Sequence, residues 1–145
     1  MVQVVLPNDA NPLGFILGGT VMHLIDIAGA IAASRHTRCP VVTAAVDGLQ
    51  FLHPIKVGDL IVLKAHVTCA FTTSLEVQVE VFSEETLSGK RLLTSSAYLT
   101  FVTIAKDGQH VTVPELIVDT DADRQVCNEA HIRRAARLKN RNTQS

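Results

Sequence analysis

Residues 20–36 read TVMHLIDIAGAIAASRH. The run has no proline, is rich in Ala, Leu, Ile and Met, and is apolar on nearly every face of a 3.6-residue period, so it predicts a buried helix. Only His23 and Asp26 interrupt it. A helix without a wet face has to be wrapped, and the rest of the chain supplies the wrapper. Residues 41–55 (VVTAAVDGLQFLHPI), 60–71 (LIVLKAHVTCAF), 74–85 (SLEVQVEVFSEE) and 91–104 (RLLTSSAYLTFVTI) are alternating runs rich in β-branched residues and separated by turn residues. With a short β-like start over Val2 to Leu6 they make about five strands. The links PIKVGD (Pro54, Gly58), TLSGK (Gly89) and KDGQ (Asp107-Gly108) predict antiparallel meander connections and leave no room for parallel crossovers. The expected architecture is α+β: one long buried helix wrapped by a curved antiparallel sheet of about five strands. Two copies are expected to dimerise through edge strands.

In 74–85, Leu75, Val77, Val79 and Val81 share one face while Glu76, Gln78 and Glu80 share the other. That strand is therefore expected to have one wet side. From about Asp119 the composition turns polar and ends in a basic cluster of Arg133, Arg134, Arg137, Lys139 and Arg141. This divides the chain into a main domain, 1–118, and a C-terminal polar and basic helix and tail, 119–145, expected on the surface with a frayed end.

Composition narrows the function classes. The 145 residues fit one core-forming domain plus this tail, and 13 Lys plus Arg against 14 Asp plus Glu give a net charge of -1. No global field attracts nucleic acid or an anionic membrane. The start MVQVVLP lacks a basic n-region, and no apolar run reaches the roughly 18 residues of a membrane span, so a soluble, untargeted, cytoplasmic protein is expected. Cys39, Cys69 and Cys127 are odd in number, far apart and without Cys/His ligand spacing, so reduced thiols are expected rather than a disulfide framework or a zinc site.

Asp26 is the strongest chemical signal. A carboxylate between Ile25 and Ile27 on an apolar helix carries a desolvation cost, and burial would raise its pKa and make it a better base. Gly18 and Gly19, two turns upstream, stand just before the expected helix, where unpaired N–H groups and the positive end of the dipole can cradle an oxyanion. Asn11, in the irregular stretch PNDANPLGFILGG, could orient a water or donate to a carbonyl oxygen, although an Asn beside Pro12 also serves as a plain turn former. His23, about one turn before Asp26, would allow a His–Asp pair or a metal site, but the sequence supplies no third ligand. His53 and His66 sit in strand-like runs and fit core or interface positions better than catalysis. Ser74 follows two threonines without a G-x-S-x-G elbow, so turn capping suits it better than nucleophilic attack, with phosphate or pantetheine contact as its functional option.

The ordered pieces N-x-x-G-x-I-x-G-G (Asn11 to Gly19), M-x-x-x-D-x-x-x-A-I-x-A (Met22 to Ala33), VVTAAVD, F-x-x-P-I-x-V-G-D (Phe51 to Asp59), S-x-x-V-x-V-E-V and TFV resemble the acyl-CoA hydrolase branch of the hotdog-fold thioesterases. That group contains the bacterial YciA proteins and the brain acyl-CoA hydrolase, and the resemblance runs from about Pro7 to Pro114. It implies hydrolysis of fatty acyl-CoA to fatty acid and CoA, with no cofactor because CoA is part of the substrate, and no metal. It implies a site shared between protomers, Asp26 of one facing Asn11 and Gly18 of the other, with Asp26 as nucleophile or general base. It also implies a hexamer built as a trimer of dimers. Thr73, Ser74, Lys90, Arg91 and the basic tail are the implied contacts for CoA. Two positions depart from the group: Ile27 stands where relatives often carry a polar or charged residue, and Thr72 or Thr73 where some carry a basic one. A hydratase or dehydratase of the same fold would use a histidine with an acidic residue, and the pre-helix loop has no histidine. A non-enzymatic acyl-CoA binding protein that regulates transcription would need a DNA-binding element, for which the chain has no residues to spare.

Overall fold

The computed structural model describes residues 1–105 and 107–143. Lys106 of the KDGQ turn, and Gln144 and Ser145 of the tail, lie outside them. Five strands, β1 (Val2–Val4), β2 (Val41–Phe51), β3 (Leu60–Ala70), β4 (Ser74–Glu84) and β5 (Arg91–Thr103), form one sheet in the order β1-β3-β4-β5-β2. Every pairing is antiparallel, but the expected meander fails at PIKVGD: β2 pairs with β5, so this link carries the chain across to β3 instead of turning a hairpin. Helix α1 (Gly18–Thr37) crosses the inner face and α2 (Asp121–Thr143) covers part of the outer face. None of the described helices is long and apolar enough to cross a membrane.

The alternation read in β4 determines where the core sits. Leu75, Val77, Val79 and Val81 are fully buried with Ala97, Leu99 and Phe101 of β5, and against them pack Val21, Leu24, Ile25 and Ala28 of α1. At Gly29 a Cβ would stand 3.1 Å from the Phe101 ring, so glycine lets the helix sit down on the sheet there. Register shifts between Thr43 and Ala45 and between Asp47 and Gln50 bend β2 around the helix.

Four expectations are corrected. First, α1 is not wrapped on all sides within one protomer: Ile27 and Ile31 are 37% and 44% exposed, because five strands cover only one side of a helix. Second, the outer face of β4 is not wet at Glu76, which is 1% exposed beneath α2. Its carboxylate accepts from Arg133 Nη2 at 2.7 Å and Nε at 3.0 Å, and from Thr68 Oγ1 at 2.7 Å. Hydrogen bonding to Glu76, more than the opposing burial, raises the Arg133 guanidinium above its ordinary value, so the pair keeps its positive partner at any working pH. Third, Cys69 and Cys127, 58 residues apart, form a disulfide with their Cα atoms 4.8 Å apart, and only Cys39 is free. Fourth, α2 is no loosely solvated tail. Besides the disulfide and Glu76, Arg137 Nη1 meets Asp47 Oδ2 at 2.7 Å and Arg133 stacks 3.6 Å over the Tyr98 ring. Sequence periodicity could not reveal this, since every one of these partners is distant along the chain.

Candidate active site

The loop before α1 is fixed by its own polar groups. Asn11 Oδ1 accepts from the backbone N–H groups of Leu13 (3.0 Å) and Phe15 (3.2 Å), and Gly14 turns the chain at φ +85°. Ile16 N donates to Ile55 O and Leu17 N to Asp9 O. With its carbonyl consumed in the loop, Asn11 keeps its amide NH₂ as the group able to donate to something else.

Helix α1 starts at Gly18, with Leu17 as an extended N-cap that makes no side-chain cap bond. Gly18 and Gly19 are thus the first helical residues rather than the two before the helix. Thr20 N and Val21 N both reach Leu17 O, whereas the N–H groups of Gly18 and Gly19 have no acceptor among the described residues. A Cβ at Gly19 would meet nothing within 4 Å, and one at Gly18 only the Phe51 ring at 3.7 Å. Beside these amides lies a cavity of about 290 Å³ lined by Ile16, Val21, Phe51, His53 and Ile55. His53 therefore borders this cavity, while His66 lines a separate small pocket with Asp123.

Asp26 is half-buried rather than enclosed. Its Oδ1 accepts a 2.6 Å hydrogen bond from Thr43 Oγ1 of β2. It opens on a groove of about 430 Å³ shared with Ile27, Ala30, Ile31 and Arg35. His23 is exposed and makes no hydrogen bond to it, so the His–Asp pair is not formed. Thr43 is the hydrogen-bond partner of Asp26 missed by reading candidates one at a time. Its only sequence signal was its place in VVTAAVD, and nothing in strand periodicity says that it points at α1.

Eight residues separate Gly18 from Asp26, a rise of about 12 Å along a helix. The free amides and the carboxylate of one chain therefore cannot both reach one small reacting group.

The other expected contacts divide. Thr73 and Ser74 line a groove of about 1060 Å³ between the outer sheet face and α2, together with His110, Arg134, Arg137 and Arg141. Lys90 and Arg91 lie apart from it, at the β4–β5 turn, where Arg91 Nε pairs with Glu84 Oε1 at 2.7 Å.

Residues 13–90 match the model of the thioesterase superfamily. The chain is 38% identical over 141 residues to an uncharacterized acyl-CoA thioester hydrolase of Bacillus subtilis, covering 97% of this chain and 81% of that protein. Its fold superimposes on a hexameric acyl-CoA thioesterase with TM-score 0.90 at 36% identity, covering 97% of this chain and 90% of the other. It also superimposes on the acyl-CoA hydrolase of Staphylococcus aureus, solved with butyryl coenzyme A, coenzyme A and coenzyme A disulfide, with TM-score 0.87 at 34% identity, covering 99% of this chain and 90% of that one. With the family model spanning more than half of its length and the same helix-in-sheet architecture throughout, this chain is a member of the thioesterase superfamily with the hotdog fold.

Proposed function

We propose that this thioesterase hydrolyses acyl-CoA to a fatty acid and free CoA in the cytoplasm, at sites shared between two protomers. The observation that carries the shared site is the helical separation of Gly18 from Asp26, which a second copy alone can close around one thioester carbonyl. A docking surface for that copy is present. Ile27 and Ile31 flank Asp26, and Val42, Val46 and Phe51 are exposed along β2, whose outer edge is unpaired. Pairing β2 with its counterpart would bury these residues together and enclose the carboxylate. The named relatives support acyl-CoA as substrate and a hexamer as the assembly, which three such dimers would make.

In this scheme Asp26, held by Thr43, takes a proton from water as the water attacks the thioester carbonyl. The N–H groups of Gly18 and Gly19 from the partner stabilise the tetrahedral oxyanion, and the Asn11 amide NH₂ orients the reactants. Collapse of the intermediate breaks the C–S bond, and the proton held by Asp26 passes to the departing CoA sulfur. The reaction balances as acyl-CoA plus water giving carboxylic acid plus thiol, with no cofactor. The Thr73–Ser74 groove and its arginines are the contacts proposed for CoA, with Lys90 and Arg91 in a lesser role at the turn.

The test is a ladder of acyl-CoAs from acetyl to palmitoyl, with released thiol measured for the native chain and Asp26→Ala. The expected result is hydrolysis that falls about a thousandfold in the variant while the oligomer is retained. Absence of cleavage across the ladder, or an unchanged rate in Asp26→Ala, overturns the proposal.

A further inference from the structure

Hydrolysis leaves one cluster of reactive side chains unused, on the opposite face of the sheet from Asp26. Strict alternation would turn the Cys69 side chain inward with Val67 and Ala65. The register shift between Val67 and Cys69 instead pairs Cys69 with Glu76, whose side chain lies under α2, and so turns the sulfur outward. There it meets Cys127 of α2. His131 stands one helical turn after Cys127 on the same side of α2, at the i,i+4 spacing that brings two side chains together. Its ring packs edge-on against Phe71, 5.0 Å between centroids at 83°, and its nitrogens have no hydrogen-bond partner among the described residues. The Cys69 and Cys127 sulfurs and a ring nitrogen of His131 all lie within 4.8 Å of one another. Cys69 is buried, Cys127 half-buried and His131 exposed, so the cluster has a closed floor and an open side.

We propose that this cluster is a thiol-gated zinc site. In the oxidised chain the disulfide fastens α2 to β3. A dithiol reductant supplies two electrons, becomes a disulfide itself and leaves Cys69 and Cys127 as thiols. A zinc ion then displaces their two protons and is held by two thiolates and the His131 imidazole, with a water from the open side as fourth ligand. Two sulfurs and one imidazole are a donor set suited to zinc and unsuited to magnesium or calcium. Zinc bonds of about 2.3 Å to sulfur and about 2.0 Å to nitrogen, tetrahedrally arranged, set the donors roughly 3.5–3.8 Å apart, so the two sulfurs part once the disulfide opens while His131 already stands within reach. Held so, the ion keeps α2, with Arg133 and Arg137, docked where thiols open the disulfide. Nothing in this rests on the proposed hydrolytic site.

The experiment uses the full chain, reduced with dithiothreitol, desalted without oxygen and titrated with cobalt(II). One cobalt per chain is expected, with a thiolate charge-transfer band and the strong visible bands of tetrahedral cobalt, bleached by zinc. The oxidised chain and Cys127→Ser should lack the bands, His131→Ala should bind more than about tenfold more weakly, beyond the loss of an outer-shell partner, and Cys39→Ser should match the native chain. On the reduced native chain, zinc should protect Cys127 from iodoacetamide as read by mass spectrometry, a test that needs no variant to fold. Cobalt bands no stronger in the native chain than in Cys127→Ser, or alkylation of Cys127 unaffected by zinc, would overturn the proposal.

Discussion

Thr43 Oγ1 donates a 2.6 Å hydrogen bond to Oδ1 of Asp26, tying the carboxylate of α1 to the edge strand on which a partner is proposed to dock. The bond fixes one oxygen, and no described group hydrogen-bonds the other. A hydrogen bond to a charged group contributes about 1.5–3 kcal/mol. Thr43→Ala is accordingly expected to lower kcat about tenfold with little change in KM, and Thr43→Ser to recover most of it, because the hydroxyl rather than the methyl is what acts. Steady-state kinetics on both variants separate this from a packing role, which serine would not rescue.

Sites shared between protomers make a prediction that no single-chain site makes. Asp26→Ala and Asn11→Ala should each be nearly inactive, yet a mixture of the two, unfolded and refolded together, should regain about a quarter of native activity. Half of randomly paired dimers are mixed, and each mixed dimer contains one intact site of two. A mixture no more active than its parents would place Asp26 and Asn11 in the same site of one chain.

Glu76 is a buried charge whose partner reaches it from another element. Removing Arg133 alone leaves that charge uncompensated, so Arg133→Ala is expected to cost about 3 kcal/mol in urea unfolding. Replacing both partners, Glu76→Leu with Arg133→Met, is expected to recover most of that loss, because the charge that needed compensation is gone. Equal destabilisation in the single and double variants would mean that the guanidinium matters through its stacking on Tyr98 instead.

Gly29→Ala sets two effects against each other. Alanine gains up to about 1 kcal/mol of helix propensity over glycine. Its Cβ, however, would stand 3.1 Å from a Phe101 ring that is fully buried and has nowhere to retreat. Overpacking of this kind costs about 1–3 kcal/mol, so a net loss of about 1 kcal/mol is expected in thermal or urea unfolding. Lifting α1 one turn from Asp26 should also reduce kcat. A stabilised variant would mean the sheet yields more readily than its burial implies.

The core helix, the five strands and their antiparallel pairing were legible in the sequence because each is a local pattern: an apolar run at helical length, a two-residue alternation, a glycine or proline at a turn; the order that sets β2 beside β5 and not beside β3 was not. Asp26 stood out for the same reason, as one charge inside such a run, and the two glycines gained interest from lying two turns upstream of it, whereas Asn11 entered through the family resemblance. Their environments were not legible. A period reports which face of an element is apolar, not what covers the opposite face, so Glu76 reads as solvated although Arg133, 57 residues later, lies upon it. Cysteine spacing reports nothing about a bond closed across 58 residues through a strand irregularity and a docked helix. Thr43 gives no sign in sequence that it meets Asp26, because that contact depends on how β2 curls around α1. The sequence by itself determined the elements and the residues capable of chemistry. Tertiary structure alone decided which of them meet, because those contacts arise from packing between segments distant along the chain.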